Sequence, residues 1–344
     1  MRKQVLCSFL VLVVGLFLMV PFALGKVTIK VAHVDRGNRH ESMMEAFAST
    51  FKDLVESQSA GEIEVLIYPG AQLGSMREIV ESTQIGAIQI VPCFTAVASI
   101  FSPKAELMAA PFLFSTVAHA WYVLDGSFGK ELAEGILKDS KLRVLAYGEA
   151  NGFRNLWISK KAVRKAADLK GMKIRVPESK MIFAMVSSLG ANPTVIPWTE
   201  LYTSMQTGVA DGWEGEANSA VDVKLHETIK HGTLTGHSYN TCYIFANDEW
   251  FRKLSSKHKE IVVNAARVGA VASRGVSQNN NGNSLRLMKA RGIEIYSPTT
   301  EEMAEFVKLS QGPGLSFLEK NAGKEWVQKL LRASSEANQA LAVK

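Results

Sequence analysis

Between Val27 and Val91 the sequence switches periodicity at every element, and this limits the fold more than any other feature. Val27-Thr28-Ile29-Lys30-Val31 repeats every two residues, as a strand buried on one face does. Met43, Phe47, Phe51 and Val55 then fall on one helical stripe, which Gly61 breaks. Ile63, Val65 and Ile67 alternate with Glu62 and Glu64 in a second strand. A Pro69-Gly70 turn leads through Gln72-Leu73-Gly74 into a helix carrying Met76, Ile79, Val80 and Thr83, ended by Gly86. Ala87–Val91 reads as a short apolar third strand. Strand, helix, strand, helix, strand at this spacing predicts crossover units and a mainly parallel sheet, an α/β fold.

The rest of the chain continues in kind. Pro111-Phe112-Leu113-Phe114 is an apolar loop, read as a buried plug. Leu142–Tyr147 is a strand running into Asn151-Gly152-Phe153-Arg154. Met181, Met185 and Leu189 mark a helix closed by Gly190, and Thr199 is placed to cap a short helix over Glu200–Thr207. Tyr239–Asn247 reads as a strand returning to the first domain. Ser255–Gln278 reads as a long helix with Ile261, Ala265, Val268 and Ala272 inward, interrupted by Asn279-Asn280-Asn281-Gly282-Asn283. At 344 residues the chain is long enough for two domains, each with its own core.

The N-terminus carries an address. Arg2 and Lys3 precede an apolar run from Val5 to Ala23, and Ala23-Leu24-Gly25 supplies small residues for cleavage, so residues 1–25 read as a secretory signal peptide and the chain as periplasmic. Its loss removes two bases and no acid, so the formal charge falls from +6 to +4. That charge is spread without a long basic run, which argues against a nucleic-acid partner. Cys93 and Cys242 remain, either paired or buried and inert, and neither sits in a redox motif.

Met172, Ile174 and Val176 alternate with Lys173 and Arg175 in a strand that Pro177 stops, so Arg175 stands near a carboxyl end, where ligands sit in open α/β sheets. An Arg fork matches a carboxylate through two charge-assisted bonds. Gly171-x-Lys173-x-Arg175-Val176-Pro177, then Gly190-Ala191-x-Pro193, Trp198 before Glu200-Leu201-Tyr202, and Gln206-Thr207-Gly208-Val209-x-Asp211-Gly212 follow in order. Together they resemble the DctP-type solute-binding proteins of tripartite ATP-independent periplasmic (TRAP) transporters, over nearly the whole chain from about Val27.

That resemblance implies a two-domain periplasmic binding protein with crossing hinge strands, a long helix in the C-terminal half, and a ligand in the cleft. It divides the chain into residues 26–151 plus 241–280 and residues 152–240 plus 281–344. It implies that Arg175 grips the carboxylate of an organic acid, and that Arg154 is either a second supporting arginine or a hinge-region ion pair. Trp198 falls where the family sets an aromatic against the ligand's carbon skeleton. After Asp211-Gly212 the family commonly has Gln-Glu-Asn, whose Asn bonds the same carboxylate; this chain has Trp213-Glu214-Gly215, so Gly215 offers only backbone there. Trp213, Trp198 and Phe94 together imply a pocket with more aromatic wall than a small polyhydroxy acid needs, unless Trp213 packs away from it. The implied partners are therefore an organic acid, of aromatic or hydrophobic body, and the membrane subunits of a TRAP permease.

Other polar residues stay open. His33 falls at the cleft rim, and with Asp35 and His40 it lacks ordered metal-ligand spacing, so it reads as a ligand hydrogen-bond donor. Glu214 and Glu216 either meet a ligand amine or brace the arginines. His237 and Asn240 either contact the ligand or bond the hinge backbone, the second being the simpler reading. No G-x-S-x-G elbow, P-loop, H-E-x-x-H or dinucleotide fingerprint is present, so no cofactor and no enzymatic activity are expected. A periplasmic sensor on the same fold is the alternative, and an enzyme acting on a small acid is the more distant one.

Overall fold

The protein is described by a computed structural model covering residues 26–342. The signal peptide expected over residues 1–25 lies outside the described residues. No helix among the described residues is long and apolar enough to cross a membrane.

The described residues form one mixed sheet of nine strands, in chain order β1 Val27–Ala32, β2 Ile63–Tyr68, β3 Ile90–Phe94, β4 Leu142–Ile158, β5 Lys173–Val176, β6 Asn192–Val195, β7 Gly212–Gly215, β8 His231–Asn247 and β9 Glu294–Tyr296. Their spatial order is β2-β1-β3-β8-β4-β7-β5-β6, with β9 beside β8. The crossover units predicted at the N-terminus form: β1 is parallel to both β2 and β3. The sheet as a whole is mixed, because β4 and β8 run antiparallel to each other and to their neighbours β7 and β3. The third strand begins at Ile90 and not at Ala87, since the N–H groups of Ala87 and Ile88 still turn back onto Ser82 O.

Strands β4 and β8 are 17 residues each, longer than the sequence suggested, and they make the architecture two-domain. Residues 242–246 of β8 pair with β3, whereas residues 155–158 of β4 pair with β7, so the same two strands serve both lobes. The passage between lobes is a register shift between Glu149 and Gly152. There Asn151 and Gly152 take φ of +65° and +82°. Asn and Gly are the residues that enter this left-handed region most readily.

A 35-residue helix, Ser256–Ala290, lies across both lobes. It packs on the helix Met43–Gln58 and on β4, and farther along on the helix Ala217–Asp222. The expected break at Asn279–Asn283 does not occur. The Asn280 side-chain amide donates to the carbonyls of His40 and Glu41, 3.0 Å each, and such tertiary contacts outweigh the several tenths of a kcal/mol per residue by which Asn disfavours helix. The inward face is Ile261, Val262, Ala265, Ala266 and Ala270; Val268, expected inward, is exposed.

The C-terminal segment divides in its packing. The helix Thr300–Ala322 lies on the helix Lys180–Ser188, but Lys324–Leu341 lies on Val117–Asp125 and Ser127–Ser140, where the His119 ring bonds Ser334 O at 2.9 Å. These two helices of the C-terminal segment therefore pack on different neighbours. Cys93 and Cys242 are buried and unpaired, because Cys93 stands opposite Tyr243 and Cys242 opposite Phe94, on opposite faces of the sheet.

Candidate functional site

A cavity of about 370 Å³ opens between the two halves of the sheet, in the size range of small-molecule sites. Met43, Met44, Phe94 and Val97 line it from the first lobe, Ala150 and Asn151 from the crossing strand, and Arg175, Trp198, Tyr202 and Trp213 from the second.

Arg175 sits one residue before the end of β5, in register with Trp213 of β7, so the two side chains leave the same face of the sheet. It is only 2% exposed. Its Nε donates to Ile196 O at 2.9 Å, and among the described residues its two terminal nitrogens meet no acceptor. Burial, with Arg154 adding against the opposing pull of Glu214, brings its pKa down to about 10, so the charge persists at neutral pH. A buried guanidinium lining a cavity with two free donor groups is chemically an anion receptor.

Arg154, by contrast, is spent inside the protein. Nε and one terminal nitrogen clasp the Glu214 carboxylate at 2.6 and 2.7 Å, the other terminal nitrogen donates to Glu216 Oε1 at 2.7 Å, and Glu214 O accepts a further bond at 3.0 Å. Burial opposes its charge, yet Glu214 and Glu216 push its pKa up. Burial likewise opposes ionisation of Glu214, but Arg154 and a bond from His237 hold it below the usual carboxylate range. Glu216 also accepts from Asn240 Nδ2 at 2.8 Å and from Ser219 at 3.1 Å. Of the two readings of this pair of acids, the geometry supports the one in which they brace an arginine.

The aromatic wall is real but layered. Trp198 is half-buried at the cavity, with Trp213 behind it, ring centroids 6.5 Å apart. Trp213 is 1% exposed and belongs as much to the second-lobe core, with Trp157, Leu201 and Met205, as to the cavity. Phe94, the last residue of β3, faces it from the other lobe. Gly215 is not on the wall: its carbonyl accepts from Trp157 Nε1 at 2.8 Å, and the Trp213 ring covers its α-carbon.

Acidic residues also line the cavity. Asp35 and Glu41 line the cavity from the first lobe and Asp222 from the second. Burial, with Asp35 and Glu41 adding, pushes Asp222 up to about 8. Burial also raises Asp35, partly offset by His33 and Ser42.

Of the residues singled out from sequence, the structure thus brings Arg175, Arg154, Trp198, Trp213 and Phe94 to one cavity. Glu214 and Gly215 lie behind it. His33 is fully buried, its Nε2 3.0 Å from Glu45 Oε2, because its backbone continues the β1 ladder onto Tyr68 and turns the ring toward the helix Met43–Gln58. Thr199 caps nothing: Trp198–Glu200 is a short 3-10 turn before the helix Leu201–Gln206, whose N-terminus has no side-chain cap. Among the described residues no group of three or more His, Cys, Asp or Glu is arranged to hold a metal. Asn151 and Asp222 were missed. The Asn-Gly pair was a turn signal for the first, and nothing in the local pattern marked the second.

Comparison with known proteins bears on the family and the fold. Residues 34–313 match the model of DctP, the bacterial extracellular solute-binding protein family 7. The chain is 32% identical over 250 residues to the 2,3-diketo-L-gulonate-binding periplasmic protein YiaO of Escherichia coli, covering 73% of this chain and 76% of that one. Its fold is similar to the sugar acid binding protein DctPAm of Advenella mimigardefordensis in complex with galactonate, with a TM-score of 0.84 at 28% identity over 90% of this chain and 98% of that one. It is similar too to a TRAP periplasmic solute-binding protein of Sulfurospirillum deleyianum with bound succinate, with a TM-score of 0.81 at 27% identity over 89% and 99% of the two chains.

Proposed function

The chain belongs to the DctP family of bacterial extracellular solute-binding proteins, and on that premise we propose that it captures an organic acid anion in the interlobe cleft, in the periplasm, and delivers it to the membrane subunits of a TRAP permease. The observation that carries the reading is Arg175, buried, charged and with two terminal nitrogens that meet no acceptor among the described residues at the cavity. A ligand carboxylate supplies the missing acceptors as a bidentate pair. Trp198 and Phe94 cover the ligand's body from opposite lobes, and Trp213 supports Trp198 from behind. Arg154 takes the structural role, fixing β7 to β4 beneath the anchor.

The two lobes in this reading are residues 26–151 with 241–280, and residues 152–240 with the segment after 281 as far as the helix Thr300–Ala322. The hinge lies at Asn151–Gly152 and near Asn240. Closure is favoured only by contacts the ligand makes to both lobes at once. The family relationship to solute-binding proteins, together with a cavity lined by a guanidinium whose terminal nitrogens face no protein acceptor among the described residues, supports binding over chemistry. The test is calorimetric titration of organic acids into the wild type and Arg175 variants, with reconstituted permease to separate transport from sensing.

A further inference from the structure

Resting on the reading of Arg175 as anchor, the hydrogen-bonding groups of the buried wall define what kind of body the ligand carries. Ser42, Asn151, Arg154, Glu216, Ser219 and Asn240 line the cavity and are buried, and every terminal nitrogen and oxygen they present is already bonded within the protein. The Asn151 amide lies between Asn218 at 2.6 Å and Ser219 at 2.9 Å, and the Asn240 amide between the Thr95 N–H at 3.3 Å and Glu216 at 2.8 Å. What remains open is a set of donors. The terminal nitrogens of Arg175 meet no acceptor, and Trp213, its register partner on β7, is the one lining residue with a buried side-chain polar atom, Nε1, that has no partner among the described residues. Arg175 is also the one buried cation on the wall that no protein carboxylate holds, since Arg154 is taken by Glu214 and Glu216.

Open donors suit a carboxylate, which only accepts. They suit little else. A hydroxyl seated against the buried wall finds no side-chain acceptor open for its proton, and a polar group buried without a partner loses the bonds it made in water. A second carboxylate finds no second buried cation, and an unpaired buried charge costs more still. The apolar part of the wall is Met43, Met44 and Val97, all buried, with the half-buried rings of Phe94 and Trp198, a surface that gains from covering hydrocarbon. Asp35, Glu178 and Asp222 also line the cavity, but they are only half-buried and Arg36 and Glu41 are exposed, so water reaches these charges.

We propose that the ligand is a monocarboxylate with an aromatic or aliphatic body, its one carboxylate taking the open donors at Arg175 and its hydrocarbon lying between Trp198 and Phe94. The probes are benzoate, phenylacetate, 3-phenylpropanoate and hexanoate, titrated calorimetrically beside galactonate and succinate, the ligands bound by two of the similar proteins. The tightest of the four should bind the wild type at least about tenfold tighter than galactonate or succinate, and Trp198→Ala should shrink that ratio to about threefold or less. Galactonate or succinate binding within about threefold of the best apolar acid, a ratio unchanged in Trp198→Ala, or no binding by any of the four overturns the inference. Arg175→Ala separates this failure from that of the anchor. If galactonate or succinate binds tightest and Arg175→Ala abolishes it, only the apolar body falls; if the tightest acid binds Arg175→Ala as well as it binds the wild type, the anchor falls.

Discussion

The six-membered ring of Trp213 occupies the space a side chain at Gly215 would need: a Cβ added at 215 would stand 1.8 Å from Trp213 Cζ3. The two residues leave the same face of β7, two positions apart. A glycine is required because an indole covers it, and the absence of a polar side chain at 215 is the counterpart of the bulky one at 213.

This pairing makes Gly215→Ala an overpacking change. Unfolding in urea should show a loss of about 1–3 kcal/mol. In a Trp213→Leu background the loss caused by Gly215→Ala should shrink, since the obstructing ring is gone. Two losses that simply add would mean that the ring does not rest on Gly215.

Arg154 holds two buried acids at once. Arg154→Met should destabilise the fold by about 3–5 kcal/mol, because it leaves the charges of Glu214 and Glu216 unpaired. Adding Glu214→Gln should restore part of that stability, as one of the stranded charges disappears. A loss near zero in the single variant would show that solvent reaches the network.

Asp222 gives the protein a pH dependence of definite sign. The folded chain holds a proton there up to about pH 8, whereas the unfolded chain releases it near the ordinary value of 3.8. The contribution is therefore fully present below about pH 4 and is lost as pH rises toward 8. The melting temperature of the wild type should fall relative to Asp222→Asn over that window, measured without ligand. A difference that stays flat would place Asp222 in open water.

Much of this was legible in the chain, for identifiable reasons. The alternation of Ile29 and Val31, then of Ile63, Val65 and Ile67, around the stripe of Phe47 and Phe51, announced β1, a helix and β2, because each element needs its own period to bury one face. Arg175 was legible because Pro177 ends its strand. What escaped depends on distant partners. Asn279–Asn283 stays helical because Asn280 reaches His40 and Glu41 across the fold. His33 left the cleft because the ladder turned it toward Glu45. Asp222 meets Asp35 only once the lobes face each other, and no local pattern records that.

The most direct test of carboxylate capture is calorimetric titration of wild type, Arg175→Lys and Arg175→Ala with the tightest binder from a panel of monocarboxylates, dicarboxylates, hydroxy acids and amino acids. Loss of a buried partner of a ligand charge is worth on the order of 2–5 kcal/mol, so Arg175→Ala should weaken binding by at least about 30-fold. Arg175→Lys should also bind poorly, having lost the fork. Wild-type affinity in Arg175→Ala, with the fold intact by circular dichroism, would contradict the assignment of Arg175 as the ligand's anchor.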